Sequence, residues 1–196
     1  MKRLITSTKL KTMTLLILML ALVTASFAQV KYHAKENVNL SVSGTSSMHD
    51  WDMKSSKGES NVTFTMNAAG QITGLSSLSF VTLAKELKSE HSAMDKNAYK
   101  ALKTSQSPII AYNLTSATLA PDGTIKCQGK LTIAGVTKDA DLAATSRINP
   151  DKSITIKGSK KISMQQFDVA PPTFMMGAVK TGNDVTISFD ITYTKQ

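Results

Sequence analysis

Period-two alternation constrains this chain more than any other feature. Near its end, Val185, Ile187, Phe189, Ile191 and Tyr193 alternate with Thr186, Ser188, Asp190 and Thr192. Successive side chains of an extended strand point to opposite faces, so such a run has one apolar and one polar side. The pattern recurs at Val38, Leu40 and Val42, at Val62, Phe64 and Met66, and at Leu78 and Phe80. Further strands are expected over 108–118, 124–133, 137–148 and 153–164. Turn-forming groups separate these runs: Asn67 to Gly70, Pro121-Asp122-Gly123, Ala134-Gly135, Asn149-Pro150-Asp151 and Gly182-Asn183-Asp184. About eight antiparallel strands, each with one apolar face, must stack as two sheets or close into a barrel. The fold class is all-β.

One segment departs from this period. Between Ser92 and Thr104 the apolar residues are Met94, Ala98, Ala101 and Leu102, which form a helical stripe. Ser92 suits the N-cap, and Asp95 lies near the positive end of the helix. A single short helix among strands suits a lid across one end of a barrel.

The first residues carry a different message. Lys2, Arg3, Lys9 and Lys11 precede an uncharged apolar run over 13–23, followed by small residues that place Ser26 and Ala28 at −3 and −1. A basic flank, a short apolar run and small residues before a cut make up a secretory signal. The run is well short of the roughly 20 residues a membrane-spanning helix needs. Residues 1–28 are therefore expected to be an export signal and 29–196 the working domain, periplasmic or secreted. Without the four basic residues of the leader, the formal charge of +9 falls to +5. The remaining lysines are scattered, with no arginine-rich or aromatic-interleaved stretch, so nucleic acid is not an expected partner.

Chemistry-bearing motifs are sparse. The sequence has no G-x-S-x-G elbow, phosphate loop or H-E-x-x-H pair, and no catalytic role or metal site is assigned. Cys127 is the only cysteine, so no disulfide forms within the chain. It shares alternation parity with Ile125, Leu131 and Ile133, as an inert buried thiol would. His49, Asp50 and Asp52 lie close together, but neighbours in a strand or tight turn point apart. His49 and Trp51 read instead as a polar–apolar pair at a strand end.

Several segments carry a family resemblance. Gly129-Lys130-Leu131-Thr132-Ile133-Ala134-Gly135-Val136-Thr137-Lys138, running on to Leu142, resembles the G-x-L-T-I-x-G-V-T-K hairpin of the YceI-like proteins. Met94-Asp95-Lys96, Ala101-Leu102-Lys103 and Pro108-Ile109-Ile110 follow that family's helix-then-strand segment in order. Gly44-Thr45-Ser46-Ser47-Met48-His49-Asp50-Trp51 is similar to a run found in exported members. The stretch from Gln166-Phe167-Asp168 to Val185 also fits. The resemblance covers roughly Val38 to Thr194. It implies an extended lipocalin-like barrel of eight antiparallel strands, a periplasmic location and, as in some members, a polyisoprenoid or similar long apolar molecule inside. One departure stands out: many members carry Arg-Asp-x-His before the helix, where this chain has Lys88-Ser89-Glu90-His91.

Alternation alone serves a filled core and a hollow bore equally, because both need apolar inward residues. With the family resemblance, a ligand cavity is expected, and an eight-stranded barrel holds one slender molecule. Parity nominates Phe80, Tyr112, Leu114, Ile187, Phe189 and Ile191 as its lining, and the same parity suits plain core. Phe174 and Met176 are expected at the cavity too. They belong to a stretch whose Pro171 and Pro172 argue for a loop, serving either as a portal lip or as a cover over the barrel end. His49, Trp51 and Met94 are expected around the mouth. No cofactor is assigned apart from a bound polyisoprenoid or quinone-like lipid. The partners expected are that lipid and a transient membrane surface, with the chain a monomer or homodimer. Two other roles suit the same residues: an accessory redox protein acting on a quinone-like ligand, and a ligand-free structural barrel.

Overall fold

A computed structural model describes residues 27–196. The expected export signal lies outside the described residues except for its last two positions. The strands are β1 (Ala28–Ala34), β2 (Val38–Ser46), β3 (Trp51–Ser55), β4 (Glu59–Met66), β5 (Ile72–Leu83), β6 (Ile109–Leu119), β7 (Thr124–Ile133), β8 (Val136–Ile148), β9 (Ile154–Ser163), β10 (Thr173–Phe174) and β11 (Val179–Lys195). One α-helix, α1 (Ser92–Ala101), lies between β5 and β6. The sheet runs β4-β5-β6-β7-β8-β9-β11 and closes through β1, which pairs with both β4 and β11. β2 continues β1 along the same edge of β11 and pairs with β3 on its other side. The result is a closed eight-stranded antiparallel barrel in which two of the eight positions are broken strands.

The sequence runs explain both the closure and its irregularities. Every inward position of β11 from Val185 to Tyr193 is apolar, and the strand is paired along both edges. Its early part differs from expectation. Gly182-Asn183-Asp184 is not a turn but an irregularity inside β11, where the register against β2 shifts between Thr181 and Val185. Asn183 makes this possible: its amide donates to Ser163 Oγ at 2.7 Å and its carbonyl accepts from the Gln165 N–H at 3.1 Å. A second bulge, between Leu114 and Ser116, moves the inward set of β6 from Tyr112 and Leu114 to Ala117 and Leu119.

One end of the barrel is packed solid. Phe64, Ile154, Val38, Val62 and Tyr193 are fully buried there. Phe64 meets Tyr32 and Tyr193 edge-on, with ring centroids 5.5 and 6.5 Å apart, the arrangement aromatic quadrupoles favour. The Tyr193 hydroxyl lies 2.8 Å from Ser60 Oγ, which donates to the Ser79 carbonyl. Burial pushes the Tyr193 pKa up to about 12, as a dry floor requires.

Helix α1 covers the opposite end. It starts at Ser92 with His91 in the cap position, and no side chain caps it. Asp95 reaches back instead, accepting from the Ser89 N–H and hydroxyl, each at 2.8 Å. The Tyr99 hydroxyl donates to the Leu87 carbonyl at 2.8 Å, and the Lys88 ammonium lies 5.0 Å from the Tyr99 ring centroid. The segment leading into α1 is also stitched to the barrel, because Lys54 and Lys88 exchange backbone hydrogen bonds.

Candidate functional site

Between the packed floor and the helix, the barrel is hollow. Inward side chains at the ends are almost wholly buried, yet Leu40, Val42, Leu78, Phe80, Leu142, Ile187 and Phe189 are only half-buried although they face inward. The accessible surface they keep faces a cavity of about 460 Å³, within the range of small-molecule sites. Its wall is almost entirely apolar. It descends to Leu75, Ile125, Cys127 and Tyr193 and rises to Met94, Ala98 and Phe174.

In-phase glycines help to keep the bore open. Gly44, Gly129 and Gly158 each lie under an aromatic ring on a neighbouring strand. A Cβ on Gly158 would sit 2.6 Å from the Phe189 ring and 2.5 Å from the Ala143 carbonyl oxygen. A Cβ on Gly129 would sit 2.5 Å from the Tyr112 hydroxyl, and one on Gly44 would collide with Trp51. Where a glycine leaves a slot, the ring opposite lies along the wall instead of projecting into the centre. Glycine inside a strand marks this kind of close approach.

The mouth is built from three pieces. The first is the β2–β3 hairpin, closed by Ser46: its hydroxyl donates to the His49 carbonyl at 2.7 Å and accepts from the Met48 and His49 N–H groups at 3.2 Å. Trp51 Nε1 donates to the Thr45 carbonyl at 3.0 Å, which holds the indole over Gly44. The second piece is the start of α1. The third is the stretch after β9, where Phe167 and Val169 are buried in a cluster against which Ala101 and Leu102 pack. β10 follows directly after the two prolines and pairs with Val179 and Lys180, so this stretch is not wholly a loop. Pro172 lacks an N–H, but its carbonyl accepts from Thr181 at 3.2 Å. Met175, Met176 and Gly177 then take left-handed φ values of 50°, 57° and 92°. The hairpin and β11 are tied together where Ser47 N–H meets the Lys180 carbonyl at 2.9 Å.

Against this geometry the nominated residues fall into two groups. Phe80, Tyr112, Ile187, Phe189, Ile191 and Phe174 are on the cavity wall, and His49, Trp51 and Met94 are at the mouth. Leu114 is not on the wall; it packs against the core cluster at the floor end, beside the β6 bulge. Met176 is fully exposed, and Met175, also largely exposed, borders the cavity in its place. The left-handed turn causes the exchange, because it directs the two methionines differently. Sequence reasoning passed over Lys160, whose inward parity placed it on the wall between Gly158 and Ile162, and the glycine slots. Burial raises the pKa of both the Tyr112 hydroxyl and the Cys127 thiol, so the cavity side of β6 and β7 is uncharged.

Comparison with known proteins agrees with this architecture. No curated protein matches the chain. Among solved structures it is similar to Burkholderia cenocepacia BcnA, with TM-score 0.67 at 17% identity over 80% of this chain and 96% of that one. It is also similar to a polyisoprenoid binding domain from Saccharophagus degradans, with TM-score 0.58 at 10% identity over 86% and 100% of the two chains. A Campylobacter jejuni YceI protein has TM-score 0.55 at 19% identity over 71% and 84%. At these identities the likeness is one of fold. The family model described as a YceI-like domain matches residues 26–193, and the chain therefore belongs to the YceI-like family.

Proposed function

We propose that this chain is an exported binding protein that holds one long apolar, isoprenoid-like lipid inside its barrel, for carriage or storage in the periplasm. One observation carries the reading: inward side chains at mid-barrel keep accessible surface, and that surface faces an apolar cavity of about 460 Å³. Apolar burial contributes about 0.8 kcal/mol per methylene, so such a bore retains a long chain without directional contacts along most of its length. The solved relative described as a polyisoprenoid binding domain has the same fold. The basic, apolar and small-residue succession of the first 28 residues supports export.

The rim supports a transient membrane contact while the lipid moves in or out. Met48 and Met175 are exposed beside the opening, Met176 lies next to them, and Lys180 adds a cation. Flexible methionines suit variable apolar surroundings.

Native mass spectrometry of protein purified without detergent tests the reading. The expected spectrum shows one lipid-sized adduct per chain, lost on organic extraction and regained with added prenyl alcohol. An apo mass that persists when prenyl lipids are added would overturn it.

A further inference from the structure

The cavity wall contains one cation with no counter-charge. Lys160 stands opposite Ile187 in the β9–β11 register, on the same face as Ile156 and Ile162, and it is half-buried on the wall. Its neighbours on the outer face are paired: Lys157 with Asp190 at 2.7 Å and Lys161 with Asp184 at 2.9 Å. Lys160 has no carboxylate within ion-pair distance among the described residues, and no Asp or Glu is on the cavity wall. Outside, β9 and β11 match their charges across the ladder; inside, Lys160 is on the wall of an apolar bore with no carboxylate beside it.

From this juxtaposition we propose that Lys160 is a head-group anchor, and that the ligand is an amphiphile with an oxyanion head, a carboxylate or a phosphate. The inference rests on the lipid-holding reading and narrows its ligand class. An ammonium among apolar walls is costly without a partner, and it attracts an oxyanion more strongly there than in water. The hydrogen bond it donates to such a head is of the strong, charge-assisted kind.

Position gives the ligand a direction. From Ile187, level with Lys160, six residues of β11 lead to Tyr193 at the floor, a path of about 20 Å at about 3.3 Å per residue. The wall along it is apolar, with Phe189, Ile191, Ile156 and Ile125. The flexible lysine stem lets its ammonium move along the bore. The head therefore sits at mid-barrel or above, and the tail runs down to the aromatic floor.

The test compares three probes of equal chain length, hexadecanoate, hexadecyl phosphate and hexadecan-1-ol, on delipidated protein by titration calorimetry. Wild type is expected to bind at least one of the two anions tenfold or more tightly than the alcohol, and the stronger anion identifies the head. K160M is expected to lose that preference while keeping its affinity for the alcohol, and K160R to retain it. Equal affinity of wild type for all three probes, or full preference in K160M, would overturn the anchor while leaving the lipid cavity standing. If wild type binds none of the three but takes up a prenyl alcohol, the anchor alone falls; if it refuses the prenyl alcohol as well, the lipid-holding reading falls with it. The wild-type comparison is decisive without any variant, so a folding defect in K160M does not blunt the test.

Discussion

Replacing Ile187 by tryptophan is expected to weaken binding of long-chain lipids about a hundredfold while leaving the melting temperature close to that of the parent. Ile187 projects from β11 into the middle of the bore, level with Val42 on one neighbouring strand and Lys160 on the other. It is only half-buried, so a larger ring extends into empty space instead of against packed atoms, and both side chains suit a strand. A barrel of eight strands is wide enough for one slender ligand, so an indole at this level closes the path to the floor. Excluding four methylenes from the lower half removes about 3 kcal/mol of burial, a loss of about a hundredfold in affinity. Titration with a prenyl alcohol, paired with a melting curve, reads both effects. Unchanged affinity in a folded variant would mean that the lipid does not pass this level.

Truncating Phe64 to alanine should have the opposite signature: a large loss of stability with the cavity wall untouched. Phe64 has no exposed surface, lies edge-on to Tyr32 and Tyr193, and is not on the wall. A buried phenylalanine cut to alanine in a packed site costs about 3–5 kcal/mol. For a domain of this size that lowers the melting temperature by roughly 6–20 °C. Ile187→Ala serves as the control, because its side chain already borders a void and has fewer contacts to lose. Its cost should be clearly smaller. Equal costs at the two sites would mean that floor and bore are packed alike, contrary to the division between them.

Strand identity was legible in the sequence because alternation is a direct image of a sheet with one apolar face. The run from Val185 to Tyr193 and the β7–β8 hairpin needed nothing else. Three strands escaped for local reasons, the two-residue β10 because two prolines precede it. β1 alternates only through Val30, Tyr32 and Ala34, amid exposed lysines and a histidine. β3 is five residues long and places Ser55 on its buried side. Gly182-Asn183-Asp184 has turn composition, yet tertiary partners for the Asn183 amide hold it inside β11. The apolar stripe marks the helix, but Ser92, whose type suits a cap, is its first helical residue.

The hollow was not legible, because alternation reports which side faces in and is silent on how much space lies there. Its signal was present in another form. Gly44, Gly129 and Gly158 each occupy an inward position in a strand, where a glycine has no side chain to contribute to a filled core. Lys160 breaks the apolar phase of β9 at a position where a packed interior would strand a charge. In the sequence, the segment containing Phe174 and Met176 has the composition of a single apolar unit. Its left-handed turn divides it, keeping Phe174 on the wall and turning Met176 outward.

The most direct test of the account is to locate a bound chain by its tail. Crystals of delipidated protein soaked with a long-chain alcohol carrying a terminal bromine give an anomalous signal at the chain end. The expected peak lies inside the barrel, below the level of Lys160 and above Tyr193, between Ile125 and Ile191. An interior filled by the protein's own side chains, with bromine only on the outer surface, would contradict it.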